Sequence, residues 1–360
     1  MPHHDEATSS RRRLIAGLIA LLVCACAAAA LYFTSRHAYN NKTVSLADVA
    51  YPESGQAWVV GDIVDDEGRI KSGVIDMTST AGASWTRQKS GSWAAGAITF
   101  ADGETGWVAT IGVEGSRSTI LATSDGGRTW SEQARGLRFR LYDIACVDRR
   151  CCWAVGGTGF GQGVILATTD GGLSWQRQWS GDDEINAVTF ADTRHGWAVG
   201  DGVVLATSDG GATWRRPELE DDALLYDVAC ADSENVWACG EGRRTGGVIL
   251  HSGDGGATWR TQYSADSGSL DCLAFIDDKE GWVAGTRESA CQVLHTSDGG
   301  RTYRSQETGV AVVPYGLAFA DSQHGMLVGN VYADRELTVA HRGSVILATS
   351  DGGATWGRKH

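Results

Sequence analysis

The chain has 360 residues and a formal net charge of −13, with 44 Asp and Glu against 31 Lys and Arg. Such an acidic surface repels phosphate backbones and excludes nucleic acid as a partner. The length accommodates one large domain plus a tail.

At the amino terminus, Arg11, Arg12 and Arg13 precede an uncharged, mainly apolar stretch from Leu14 to Phe33, long enough to cross a hydrocarbon core as one helix. Only Arg36 follows closely. The charge bias predicts a cytoplasmic basic tail (1–13), a transmembrane anchor (14–33), a polar stalk (34–45) and a domain over 46–360 on the extracytoplasmic side of the cell membrane. Two processing alternatives stay open: VCAC (23–26) is an imperfect lipobox with Cys26 as the acceptor, and the alanines at 27–30 offer a signal-peptidase site. The retained anchor is preferred because the apolar stretch continues through Leu31, Tyr32 and Phe33.

Beyond the stalk, one phrase recurs six times: TSDGGRTW (123–130), TTDGGLSW (168–175), TSDGGATW (207–214), SGDGGATW (252–259), TSDGGRTY (296–303) and TSDGGATW (349–356). A worn copy, TSTAGASW, occupies 78–85. The spacing, about 40 to 50 residues, is the size of one propeller blade. A second phrase keeps the same period, with Trp58, Trp107, Trp153, Trp197, Trp237 and Trp282 followed by small and branched residues, and Met326 in the seventh slot. The prediction is an all-β, seven-bladed β-propeller of four-stranded antiparallel blades, preceded by one transmembrane helix. Trp130, Trp175, Trp214, Trp259 and Trp356 are expected to be buried between or within blades. Residues 39–45 are expected beside the seventh blade, where they lengthen its sheet.

The carboxylate of each repeated Asp can accept hydrogen bonds from the backbone of its own turn, while the glycines permit positive φ. Asp125, Asp170, Asp209, Asp254, Asp298 and Asp351 are therefore read as structural rather than catalytic. His251 and His295 stand where other blades have Ala and are read as packing variants. Asp182, Asp183, Glu184, Glu218, Glu220, Asp221 and Asp222 are read as solvated loop charges. Tyr142, Tyr226 and Tyr315 share one slot of the innermost strand, which assigns them to core packing. The glycine run GGTGFGQG (156–163) lies between strands and lacks the helix of a dinucleotide site. No catalytic residues, cofactor or metal ligands are predicted. Seven cysteines lie in the domain, where disulfides can persist. Cys230 to Cys239 is the preferred pair, Cys146 with Cys151 or Cys152 a second, and Cys272 to Cys291 a weaker third.

The paired phrases resemble a known family. TFADGETGWVATIG (99–112), TFADTRHGWAVGDGVVLATSDGGATW (189–214), AFIDDKEGWVAG (274–285) and AFADSQHGMLVG (318–329) are similar to the BNR or Asp-box repeat of the photosystem II assembly and stability factor family. The resemblance covers nearly all of 46–356 and implies a non-enzymatic scaffold that binds a membrane or envelope protein client; the anchor at 14–33, a departure from the lipidated or cleaved photosynthetic members, makes this chain a bacterial membrane-anchored relative. Sialidases share the Asp box, but none of Pro2, Pro52, Pro217 and Pro314 completes their Arg-Ile-Pro motif. A glycan-binding or glycoside-hydrolase-like propeller is the alternative, supported by Trp93, Tyr142, Trp179, Tyr226 and Tyr315 near loops or channel.

The loops between second and third strands vary most from blade to blade, so they are the predicted binding surface. They hold Arg69, Lys71, Arg117, Arg243, Arg244, Arg287, Tyr332, Arg335 and Arg342. Arginines gathered on one face suit a carboxylate-bearing tail. Glu114, Glu241, Glu288, Asp334 and Glu336 among them equally describe an ordinary mixed surface.

Overall fold

The computed structural model describes residues 43–65, 69–113, 117–219, 222–288, 290–332 and 341–359, with backbone alone at 43, 332, 341 and 342. The predicted anchor lies outside the described residues. No described helix is long and apolar enough to cross a membrane.

Seven antiparallel sheets follow one another along the chain. Blade 1 is β1 (Thr43–Glu53), β2 (Gln56–Val64), β3 (Ile70–Thr78) and β4 (Thr86–Gly91). Blade 2 is β5 (Ala94–Phe100), β6 (Gly106–Ile111), β7 (Ser118–Thr123) and β8 (Ser131–Leu137). Blade 3 is β9 (Arg140–Cys146), β10 (Cys152–Gly157), β11 (Gly163–Thr168) and β12 (Gln176–Gly181). Blade 4 has β13 (Ile185–Phe190), β14 (Gly196–Gly200) and β15 (Val203–Thr207); its outer strand shrinks to a bridge between Ala206 and Arg215. Pro217, two residues on, has no N–H with which to extend that ladder. Blade 5 is β16 (Ala223–Cys230), β17 (Val236–Gly242), β18 (Gly247–Ser252) and β19 (Arg260–Ser264). Blade 6 is β20 (Ser269–Phe275), β21 (Gly281–Arg287), β22 (Ala290–Thr296) and β23 (Arg304–Glu307). Blade 7 is β24 (Val313–Phe319), β25 (Gly325–Tyr332), β26 (His341–Thr349) and β27 (Gly357–Lys359).

The ring closes by packing, without a shared strand. β1 pairs with β2, so among the described residues the stalk does not lengthen blade 7 as expected. Its start nevertheless abuts that blade. Asn330, fully buried, accepts from Leu46 N at 3.2 Å and donates to Leu46 O at 3.1 Å, and Ser344 Oγ donates to Val44 O at 3.2 Å.

The deepest side chains are the tryptophans of the second strands. Trp58, Trp107, Trp153, Trp197, Trp237 and Trp282 are at most 1% exposed, and Met326 fills the seventh place. Four of them stack on a Phe from the next blade: Trp58 on Phe100, Trp153 on Phe190, Trp237 on Phe275 and Trp282 on Phe319, at 3.8, 3.5, 3.8 and 3.6 Å between centroids. The Asp-box tryptophans sit further out. Trp259 is buried, but Trp130, Trp175, Trp214 and Trp356 are half-buried, a correction to the expected burial. Trp130, Trp214 and Trp356 close the interface edge-on against Phe100, Phe190 and Phe319.

Each stacked Phe lies over a glycine that opens the following strand. A Cβ at Gly106, Gly196, Gly281 or Gly325 would fall within 2.6 Å of the facing ring. In blade 3 the same two slots hold Cys146 and Cys152, which face each other in register and form a disulfide. This is the second of the expected pairings, not the preferred one. Cys230 occupies the equivalent slot of blade 5 but faces Val236, whereas Cys239 faces Asp227; both are free, as are Cys272 and Cys291.

Candidate partner-binding face and central channel

Two kinds of turn build the lower face. In the Asp box of blade 2, Asp125 Oδ1 accepts from Thr129 N at 2.9 Å and Oδ2 from Thr129 Oγ1 at 2.7 Å, while Thr123 Oγ1 donates to Oδ1 at 2.9 Å. Asp170, Asp209, Asp254, Asp298 and Asp351 repeat the pattern. In the worn copy Thr80 substitutes, accepting from Ser84 N at 2.9 Å. These bonds stabilise the ionised form, holding Asp125, Asp170, Asp209 and Asp254 down at about 2. The carboxylates are saturated by their own turns, which supports the structural reading. The first-to-second-strand turns lie against them, as in Gly126 N to Glu104 O at 2.8 Å.

A second repeated device was missed in the sequence. Gln88, Gln133 and Gln262 accept from the core indoles Trp58, Trp107 and Trp237, and donate to a carbonyl in the next blade's Asp box. Gln178 and Gln306 make the same donation, to Gly210 and Gly352. All five stand three residues after the Asp-box aromatic, a signal present in the sequence; in blade 4 that slot is Pro217.

The second-to-third-strand loops form the upper face, and the predicted basic residues are spread around it. Arg69 and Lys71 share Asp65, at 3.0 and 2.9 Å. Arg117 donates to Gly136 O at 3.2 Å. Arg243 is held between Asp222, at 2.9 Å, and Asp201. Arg244 and Arg287 are exposed and form no ion pair among the described residues. Tyr332 and Arg342 lie on β25 and β26 at the base of the longest loop, and Arg335 falls outside the described residues. The structure thus brings together no single basic patch: three of the cations are matched locally by Asp. Of the predicted solvated loop charges, Asp183 pairs with Arg216 and Asp222 with Arg243.

The innermost strands line a central channel. Every one of them carries a bulge at the same place, so that two consecutive residues turn inward where a regular strand would turn only one. Tyr142, Tyr226 and Tyr315 are these extra residues. They line a cavity of about 130 Å³ instead of packing in the core as expected. Tyr142 donates to Glu184 at 3.2 Å and Tyr226 to Glu241 at 3.4 Å, which carries Glu184 out of the class of merely solvated charges.

Next to the tyrosines, Asp48, Asp143 and Asp227 staple blades in pairs. Each accepts its own following N–H with one oxygen and, with the other, the N–H of Ile98, Val188 or Leu273 in the next blade, at 2.9, 2.8 and 2.8 Å. Blades 1 and 2, 3 and 4, and 5 and 6 are joined in this way. Seven is odd, and blade 7 presents Gly316, where a Cβ would lie 2.8 Å from Asp48 Oδ1. Burial pushes Asp143 up to about 6 and Asp227 and Asp271 up to about 7, and raises Asp48 as well. Such values suit a general acid, but both oxygens of Asp143 and of Asp227 are engaged by backbone amides, so neither is aimed to deliver a proton.

His251 and His295 stack on Trp237 and Trp282, as the packing reading expects, and His295 also reaches Glu280 at 2.8 Å. Among the described residues no cluster of His, Cys, Asp and Glu could hold a metal ion.

The paired repeats have a counterpart among known families. Residues 180–265 match the family model of the photosynthesis system II assembly factor YCF48. The family likeness read from the repeats holds. Solved structures agree on the fold. YCF48 bound to a D1 peptide is 18% identical, with a TM-score of 0.61 over 87% of this chain and 98% of that one. YCF48 from Cyanidioschyzon merolae is 17% identical, with a TM-score of 0.60 over 86% and 97%. A GH74 xyloglucanase from Xanthomonas campestris is 14% identical, with a TM-score of 0.64 over 88% of this chain but 54% of its own. No curated protein matches the chain in sequence.

Proposed function

We propose that the chain is a membrane-tethered, extracytoplasmic, non-enzymatic propeller that binds a membrane or envelope protein client through its upper face. The observation that carries this reading is the YCF48 family segment at 180–265, taken with a YCF48 structure that holds a D1 peptide. Two features support it. The Asp boxes are saturated structural turns, and Asp143 and Asp227, two of the three channel carboxylates raised to about 6 or 7, act as staples. β1 also enters the ring from the upper side, because its other end leads into the lower first turn; a polar stalk after a span at 14–33 would hold the upper face toward the bilayer. At roughly 3.3 Å per residue the part of such a stalk that precedes β1, residues 34–42, reaches at most about 30 Å.

The test uses the two upper-face arginines that the fold does not need. Arg244→Glu with Arg287→Glu, in the full chain, should reduce recovery of client proteins from detergent-solubilised membranes while leaving the melting temperature unchanged. Undiminished recovery would remove these arginines from the binding surface. A glycan-binding propeller is the second reading, favoured by the likeness to the xyloglucanase; retention on immobilised xyloglucan, with no protein client recovered, would select it.

A further inference from the structure

Among the described residues only two large apolar side chains stand in solvent, Phe160 and Leu173, at 93% and 88% exposure. Leu173 sits in an Asp box, a turn repeated around the ring. Phe160 stands at the tip of the glycine run between β10 and β11, on the upper face, and nothing in the repeat calls for it.

The tip is built to hold that ring out. Gly159 and Gly161 flank it at φ of 76° and 89°, where a side chain would strain the backbone. Thr158 N donates to Gln162 O at 2.9 Å, and Phe160 N to Thr158 Oγ1 at 3.3 Å. Gly161 N donates to Glu184 Oε1 at 3.1 Å, and the other oxygen of Glu184 accepts from Tyr142 at 3.2 Å, tying the loop to the channel wall. At the foot of the same hairpin, Trp179 lies against Gly163 and Gly181. Asp182, Asp183 and Glu184 run alongside; Asp183 is matched by Arg216, but Asp182 is exposed and forms no ion pair among the described residues.

We infer that Phe160 is the apolar anchor of a docking surface for a protein segment that presents an apolar pocket with a Lys or Arg at its rim. The inference rests on the reading of the chain as a protein-binding propeller. A fixed aromatic tip loses little conformational freedom on insertion, as an interface anchor should. The unmatched Asp182 beside it supplies the charge that a basic rim would complement. Arg140 lies against Gly159 on the same tip, but Asp182, Asp183 and Glu184 outnumber Arg140 and Arg216, and this acidic balance disfavours a bilayer with anionic headgroups as occupant.

The experiment places the photoreactive residue p-benzoylphenylalanine at position 160 of the full chain in its membranes, with Leu173 and Arg244 as separate positions for comparison. The expected result is a protein adduct at 160 whose cross-linked peptide carries Lys or Arg within a few residues of the attachment point. Its yield should fall at least fivefold with Asp182→Lys at unchanged melting temperature. Adducts with phospholipid, no adduct above the level at Leu173, or a yield indifferent to Asp182→Lys would overturn the inference. Protein adducts at Arg244 without any at 160 would leave the protein-binding reading standing and sink only the anchor; adducts at neither would sink both.

Discussion

The lower and upper halves of each blade obey different constraints. Below, the Asp box, the bridging Gln, the core Trp and the Phe over Gly recur with the same hydrogen bonds or contacts, because each blade there must fit its neighbour. Above and along the channel, the slots that hold Asp48, Asp143 and Asp227 in three blades hold Ala97, Ala187, Cys272 and Gly316 in the others. Where every blade meets its neighbour in the same way the blades agree; along the channel, an Asp staple in alternate blades leaves the intervening slots to small side chains. Three measurements can break or sharpen that division.

The largest effect belongs to the lower half. Trp282→Ala removes a fully buried indole that stacks on Phe319 and donates to Gly352 O at 2.9 Å, so unfolding in denaturant should show a loss of about 3 to 5 kcal/mol. The half-buried Trp356, which only meets the same Phe319 edge-on, should lose distinctly less on truncation to Ala. Equal losses would mean that the outer aromatic, not the core one, carries the blade interface.

If lower-half slots are interchangeable, the disulfide of blade 3 is one solution to a packing problem that Phe over Gly solves elsewhere. Cys146→Ala should cost about 2 kcal/mol, the constraint that a cross-link of sequence separation 6 places on the unfolded chain. Cys146→Phe with Cys152→Gly should recover part of that loss by restoring a ring under Trp107. A double variant less stable than Cys146→Ala would show that blade 3 has diverged beyond the repeat.

The same division governs how much of the molecule was legible in the sequence. Blade number, strand order and the Asp-box role followed from features fixed by packing against a neighbour, and such features repeat. Of the expected disulfides, Cys146 to Cys152 forms and the preferred Cys230 to Cys239 does not: both pairs flank a hairpin, but pairing depends on register, and of the two cysteines in the Phe slot Cys146 faces Cys152 while Cys230 faces Val236. Tyr142, Tyr226 and Tyr315 were assigned to the core because strict alternation puts neighbouring residues on opposite faces, and a bulge cancels it locally. The charge matching around the expected basic residues has two origins. Asp65 stands in the same short hairpin as Arg69 and Lys71, a match legible in the sequence, whereas Asp201 and Asp222 reach Arg243 from 42 and 21 residues away, which appears only once the blades are assembled.

The subtlest effect concerns the channel, where the blades are not alike. In the folded chain burial holds the protons of Asp143 and Asp227 up to about 6 and about 7, well above the range of an exposed carboxylate in the unfolded chain. Between about pH 4 and pH 7 the folded state therefore binds more protons than the unfolded state, so stability is fully present at the acid end and declines as pH rises through the folded values. The Asp-box carboxylates act in the opposite sense, but their values near 2 confine their loss to more acid solution. Melting temperature should thus fall from pH 5 to pH 7.5. Asp143→Asn, which cannot ionise, should reduce that fall, although its amide can accept only one of the two N–H groups of Ile144 and Val188 and so lowers stability throughout. An unchanged slope in Asp143→Asn and in Asp227→Asn would show that these carboxylates stay ionised, their two amide donors outweighing burial, and that the channel is governed by the same hydrogen bonding as the turns below it.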